Sequence, residues 1–174
     1  MVKSMDLKMK IKTLALLLLG VLTTGCSTLS PDQQAKVNDM SSCEKLTTLV
    51  DASSSRFSVL KGVQVGAKLI KTWQAKAHLV GNSCQIIESS KGKTIYTCQE
   101  QFEDYQSAVK IHQYAQSMVT QCLGSNWMVS SQENGEVLHT DITSASTTSA
   151  ISIALGKGLD KRSPWVVSLE ISDK

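Results

Sequence analysis

The segment from Cys84 to Cys98 limits the fold more tightly than any other, because one hairpin register accounts for its pattern. A hairpin centred on Lys91 brings the two cysteines opposite each other. The same register creates two apolar cross-strand pairs, Ile86 with Tyr96 and Ile87 with Ile95. Cysteines that oppose each other at a non-hydrogen-bonded position are close enough to bridge. We therefore predict an antiparallel hairpin that brings Cys84 and Cys98 together.

Helical and alternating patterns surround this hairpin. Apolar residues at helical spacing predict a helix that starts at Ser41 or Ser42 and a longer helix over about 103–123. Alternation predicts further strands at 69–80, 127–132, 137–142, 149–155 and 165–171. This order indicates an α+β fold of two halves, each a helix followed by an antiparallel meander, with the helices packed on antiparallel sheet.

A basic segment and then an apolar segment precede a cysteine near the start of the chain. Lys8, Lys10 and Lys12 lie before the apolar run 14–22, and small residues lead from it to Gly25-Cys26. The run is shorter than the roughly 20 apolar residues that a membrane-spanning helix needs. The arrangement resembles the signal peptide of a bacterial lipoprotein. A plain secretory signal and a buried apolar helix are the alternatives.

The resemblance implies cleavage before Cys26, lipidation of Cys26 and attachment to a membrane on the periplasmic side. Ser27, and not an aspartate, follows the cysteine, which implies sorting to the outer membrane. The chain would then consist of a signal peptide (1–25), the lipidated cysteine with a tether (26–40) and one periplasmic α+β domain (41–174). Translation can start at Met1 or at Met9.

Four cysteines follow Cys26, and an even number in an oxidising compartment suggests two disulfides that staple the fold. Since the hairpin favours Cys84 with Cys98, Cys43 pairs with Cys122 by elimination and ties two predicted helices together. A metal site is the alternative, but the chain has no Cys-x-x-Cys or His-x-x-x-His spacing.

The net charge of the mature domain differs from that of the whole chain. The formal charge is +3, but the predicted signal peptide holds four of the 18 basic residues and one of the 15 acidic residues. The remaining 14 basic and 14 acidic residues balance, so no global positive field attracts nucleic acid. We expect no nucleic-acid partner.

No catalytic set stands out among the polar residues. Glu100, Glu103 and Asp104 cluster at the predicted start of the long helix, where acidic residues favour the helix dipole; paired carboxylates of a glycosidase are the alternative. His112 is expected to pack at the boundary of the core. Serine is abundant, so a dispersed triad stays open, although no Gly-x-Ser-x-Gly motif is present. We expect no enzyme, cofactor or metal.

Two segments are candidate contacts for a partner. The basic loop before the last strand carries Lys157, Lys161 and Arg162 beside Trp165, with a solvated hairpin tip as the alternative. The Ser/Thr-rich stretch 143–149 is expected to be a flexible connection or a sheet edge that can accept a partner strand.

Three functions fit these observations. The first is a non-catalytic lipoprotein of the outer membrane that binds another envelope protein, as an accessory, inhibitor or immunity protein. The alternatives are a carrier of lipid or another small ligand, in which the long helix covers an apolar pocket, and a cell-wall hydrolase, which the missing motifs make the weakest hypothesis.

Overall fold

The computed structural model describes residues 31–65 and 70–173. The predicted signal peptide, Cys26 and the first residues of the tether lie outside the described residues, so their roles stay predictions. Within the described ranges, no helix has the length and apolar character needed to cross a bilayer.

Three α-helices and eight strands make up the described chain. The helices are α1 (Pro31–Asp39), α2 (Ser42–Ser53) and α3 (Tyr105–Leu123). The strands are β1 (Lys61–Gln64), β2 (Lys71–Ala75), β3 (Ser83–Glu88), β4 (Thr94–Phe102), β5 (Met128–Asn134), β6 (Val137–Thr143), β7 (Ser149–Lys157) and β8 (Trp165–Asp173). Helix α1 therefore occupies much of the predicted tether, and its Val37 packs against the core.

All eight strands form one antiparallel sheet in the order β1-β2-β3-β4-β8-β7-β6-β5. The runs β1–β4 and β5–β8 meet where β4 pairs with β8. Helix α3 packs on β4, β7 and β8, and α2 packs on β4 and β8, so both helices cover the centre of the sheet. The α+β fold with helices on an antiparallel sheet is confirmed. The division into two halves is not confirmed, because one sheet and one core span both runs.

Local sequence explains where the helices begin. The Ser41 hydroxyl accepts a hydrogen bond from the Glu44 backbone N–H, and the Glu44 carboxylate accepts from the Ser41 backbone N–H, which makes a capping box for α2. Asp104 caps α3 by accepting a 2.8 Å hydrogen bond from the Ser107 N–H. The hydrogen bonds from Ser107 hold the pKa of Asp104 below its usual value.

Both predicted disulfides are present. Cys84 and Cys98 oppose each other in the β3–β4 ladder, in the register that the sequence predicts. Cys43 and Cys122 join α2 to α3. Helices α2 and α3 cover a core in the centre of the sheet. Its fully buried side chains include Ile86, Tyr96, Ile153, Leu155, Leu169 and Ile171.

The strand predicted over 69–80 is shorter than expected, because β2 ends at Ala75. The Lys76 N–H donates instead to the Leu60 carbonyl at 3.0 Å. The Tyr96 hydroxyl donates to the Ala77 carbonyl at 2.9 Å. These bonds hold 76–82 as a loop, from which Ala77 and Val80 are buried in the core.

Candidate functional site

The edge strand β5 is the most exposed strand of the sheet. All seven of its residues are exposed, and the side chains of Met128 and Val129 are 66% and 42% exposed. Every residue from Met128 to Asn134 has a regular partner in β6. Among the described residues, no strand pairs with the outer side of β5. A long, regular and open edge of this kind can accept a strand from another chain.

The turn between β5 and β6 determines which backbone groups of β5 face outward. The two-residue turn 135–136 leaves Asn134 opposite Val137. The pair that flanks such a turn is hydrogen-bonded, and bonded and non-bonded pairs alternate along an antiparallel ladder. The backbone N–H and C=O groups that point away from β6 are therefore those of Val129, Ser131 and Glu133.

A cleft of about 250 Å³ lies beside this edge, between α3 and the β5–β6 hairpin. Its lining combines a histidine, hydroxyls, amides, one carboxylate and one leucine: His112, Gln113, Gln116, Ser131, Gln132, Glu133, Leu138 and Thr140. The hydroxyls of Ser131 and Thr140 are 3.1 Å apart. Seven of these eight side chains carry a hydrogen-bonding group, so the cleft can hold a polar group of a bound molecule.

His112 and Thr140 are the two buried polar side chains of the cleft, and His112 lies on α3. The histidine is 4% exposed, and its Nε2 has no hydrogen-bond partner within the described chain. Burial lowers the pKa of His112, and a backbone hydrogen bond with Ile153 opposes the shift only in part. The ring is therefore neutral at pH 7. A polar group that enters the cleft can supply the missing hydrogen bond, which buried polar atoms ordinarily have.

The predicted contact residues of the basic loop divide into two sets. Lys157, Lys161 and Arg162 are exposed. Lys157 Nζ lies 3.1 Å from a carboxylate oxygen of Glu136, in the β5–β6 turn. Trp165 is only 8% exposed, and its ring centroid lies 4.8 Å from that of the partly buried Tyr105. Burial places Trp165 in the core, which argues against direct contact with a partner.

The segment 143–149 is not a sheet edge, because β6 and β7 each pair with a strand on both sides. Ser149 is buried, and its hydroxyl donates to the Val50 carbonyl at 3.1 Å. The same hydroxyl lies 2.7 Å from that of Ser53. These contacts attach the end of the segment to α2, so of the two predicted alternatives the segment is a connection, between β6 and β7, and not a sheet edge.

Other polar groups belong to local structure. Asp104 is the cap of α3, while Glu103 is exposed beside it and Glu100 lies in β4. His139 Nε2 lies 3.1 Å from an Asp141 carboxylate oxygen on β6. Over 31–65 and 70–173, no three His, Cys, Asp or Glu side chains are grouped in a way that could hold a metal ion.

Comparison of the chain with known proteins gives no matching family model, no matching curated protein and no matching solved structure. The candidate site therefore depends on the geometry of β5 and its cleft. Sequence reasoning does not identify β5 as the edge, although one signal is present. Residues 130–134 are polar at every position, and a strand that is polar on both faces is covered on neither.

Proposed function

We propose that this chain is a lipoprotein of the outer membrane, held by Cys26, that has no catalytic role and binds another envelope protein. The binding site is the open edge of β5, to which the partner adds a strand. The outward backbone groups of Val129, Ser131 and Glu133 support this proposal, because they offer hydrogen bonds to an added strand in an alternating pattern. The two disulfides are in keeping with an oxidising compartment.

Charge favours a partner strand with basic residues. The hairpin from 128 to 143 contains Glu133, Glu136 and Asp141 but no lysine or arginine. Glu136 interacts with Lys157, whereas Glu133 lines the cleft next to the outer side of β5. A basic side chain of the added strand, on the side that faces the helices, would lie near Glu133 and could extend towards His112.

The other two functions gain little support from the structure. Sites for drug-sized ligands are typically about 300–1,000 Å³, whereas the cleft under α3 is about 250 Å³. The hydrolase hypothesis gains no support from the acidic cluster, since Asp104 is engaged in capping α3.

We also propose that the chain consists of two halves, α2 with β1–β4 and α3 with β5–β8, because each run of strands is a meander joined to the other only through β4 and β8.

The test compares Ser131→Pro with Ser131→Ala in the tagged, full-length protein. Proline removes an outward N–H of β5 that β6 does not use, so the edge is blocked while the fold is kept. Alanine removes the same hydroxyl, including its contact with Thr140, but keeps the N–H. A Cys26→Ala form, tested alongside, reports on the contribution of the lipid anchor.

After crosslinking of intact cells, we expect wild type and Ser131→Ala to recover one dominant envelope protein. Ser131→Pro should recover it about tenfold less, since strand addition depends on the main-chain hydrogen bonds. Circular dichroism and the oxidation state of the four cysteines verify that the proline form is folded. Equal recovery with proline and alanine, or no specific protein with wild type, would contradict the proposal.

A further inference from the structure

The opposite end of the sheet carries an exposed apolar surface with lysines. Four side chains around β1 and the start of β2 are about half exposed or more: Val59 (65%), Val63 (53%), Val65 (49%) and Ile70 (53%). They lie along the β1 edge of the sheet: Lys61, two residues after Val59, opposes Ala75, and the Val65 N–H donates to the Thr72 carbonyl, two residues after Ile70. We refer to Val59, Val63, Val65 and Ile70, with the lysines described next, as the β1 surface.

Positive charge accompanies these apolar side chains. Lys61, Lys71 and Lys76 belong to the β1 surface, and the described segments 58–65 and 70–76 contain no acidic residue. Glu88 on β3 bonds to two of the lysines, at 3.3 Å to Lys61 and 3.2 Å to Lys71. Lys76 Nζ donates to the Val59 carbonyl at 3.0 Å, so its charge lies beside the most exposed valine. Apolar side chains mixed with lysines are typical of surfaces that contact anionic lipid.

The start of α1 is close to this surface. The Gln34 side-chain amide donates to the Lys76 carbonyl at 3.4 Å, one helical turn after Pro31. Five residue steps separate Cys26 from Pro31, and an extended chain covers at most about 18 Å in that number of steps. A lipid on Cys26 would therefore hold the β1 surface within reach of the membrane interface.

We propose that the β1 surface lies against anionic phospholipid in the membrane leaflet that holds Cys26. This inference rests on the lipid anchor of the proposed function. Its valines and isoleucine contact the headgroup region, and the exposed Lys71 ammonium contacts lipid phosphates. Seven strand spacings of about 4.8 Å separate β1 from β5, so the open edge of β5 lies about 34 Å from the β1 surface. In this orientation the edge of β5 faces the periplasm.

A photo-crosslinking experiment tests this orientation. The lipidated mature protein, with p-benzoylphenylalanine in place of Val63, is reconstituted into vesicles of phosphatidylethanolamine and phosphatidylglycerol. The control carries the same residue in place of Val137, which is 49% exposed at the far hairpin. Mass spectrometry first verifies the acyl chains on Cys26, and then measures the fraction of chains crosslinked to phospholipid. We expect about tenfold more lipid adduct at position 63 than at 137, because the two edges are so far apart.

A charge reversal provides the second readout. Lys71→Glu should lower the lipid adduct at position 63 about threefold, by placing a negative charge against anionic lipid. Lys157→Glu is the matched control, because each lysine is largely exposed and bonds to one glutamate, at 3.2 Å for Lys71 and 3.1 Å for Lys157. It should leave the adduct unchanged.

Three results would overturn the inference. Equal lipid adducts at 63 and 137 would mean that the membrane does not select the β1 surface. Protein adducts without lipid adducts at position 63 would identify a protein interface instead. Acyl chains missing from Cys26 would overturn the lipid anchor itself, and this inference with it, whereas the strand-addition test with Ser131→Pro would be unaffected.

Discussion

The two edges of the sheet differ in how they are protected from other strands. Strand β1 has four residues, a shift in register between Lys61 and Gln64, and a lysine whose ammonium lies 3.8 Å from the ring centroid of Trp73. Short length, irregular pairing and lysine are devices that prevent edge-to-edge association. Strand β5 has seven residues in regular pairing, and Glu133 is its one charged residue. The contrast indicates that β1 is built to avoid another strand, and β5 is not.

The two disulfides are also distributed unevenly over the sheet. The Cys84–Cys98 disulfide closes the β3–β4 hairpin on the β1 side, and Cys43–Cys122 joins the two helices over the centre. On the chain-entropy account, these contribute about 3 and about 4 kcal/mol respectively. Neither disulfide reaches β5 or β6. The β5–β6 hairpin therefore depends on its own ladder and its contacts with β7.

Amide hydrogen exchange gives the largest expected effect. The N–H groups of Ser130 and Gln132 bond to β6, whereas those of Val129, Ser131 and Glu133 face the open edge. In the isolated protein, we expect the first two to exchange about a thousandfold more slowly than the other three. Residue-resolved NMR measures this difference. Uniform protection along β5 would mean that its edge is already covered and would remove the contrast with β1.

Glycine substitutions compare the two sides of the sheet at equal φ angles. Gly81 and Gly135 both have φ of 62°. A Cβ at position 81 would lie 2.8 Å from the Gln99 carbonyl oxygen, whereas nothing lies within 4 Å at position 135. We expect Gly81→Ala to cost about 3 kcal/mol of unfolding free energy and Gly135→Ala about 1 kcal/mol, since only the first adds a clash to the strained φ.

Urea unfolding of the two alanine variants measures these costs. Gly135→Ala has a second expected effect, because strain in the turn should increase amide exchange in β5 and β6 and leave β3 unchanged. Equal losses of unfolding free energy for the two variants would contradict this prediction. They would mean that the close packing at Gly81 makes no difference.

The smallest expected effect is a dependence of stability on pH through His112. Burial lowers its pKa in the folded protein, so the unfolded chain binds a proton more readily. Stability should therefore be complete above the ordinary pKa of 6.5 and decrease as the pH falls through that value. Unfolding in urea at about pH 7.5 and about pH 5.5 measures this decrease, which His112→Gln should remove.

The loss of stability at low pH should begin on the β5 side of the sheet. His112 bonds to Ile153 on β7 and lines the cleft with β5 and β6, so amide exchange in β6 should rise at the lower pH before that in β3 does. A decrease in stability of the same size in His112→Gln would assign the pH dependence to other groups. Glu88 and Asp104 have lowered pKa values as well, but they lose their stabilising charge only at more acidic pH.

Two segments show that a residue's type does not determine its depth in the fold. Trp165 follows a basic loop and suggests a contact surface, yet its strand lies at the centre of the sheet and its ring is buried. Segment 143–149 has the composition of a flexible connection or a sheet edge; it is a connection, and contacts of Ser149 with α2 hold its end. In both cases, the deciding neighbours are distant in sequence.

The sequence by itself determined three local elements: the register of Cys84 with Cys98, the long helix over about 103–123, and the pair of strands 127–132 and 137–142. Each depends on residues a few positions apart, where periodicity, capping and turn geometry act directly. Only the tertiary structure decided that β4 pairs with β8, which leaves β1 and β5 as the edges. That pairing joins strands more than 60 residues apart, and it depends on how the helices and both meanders bury one common core, which no local pattern encodes.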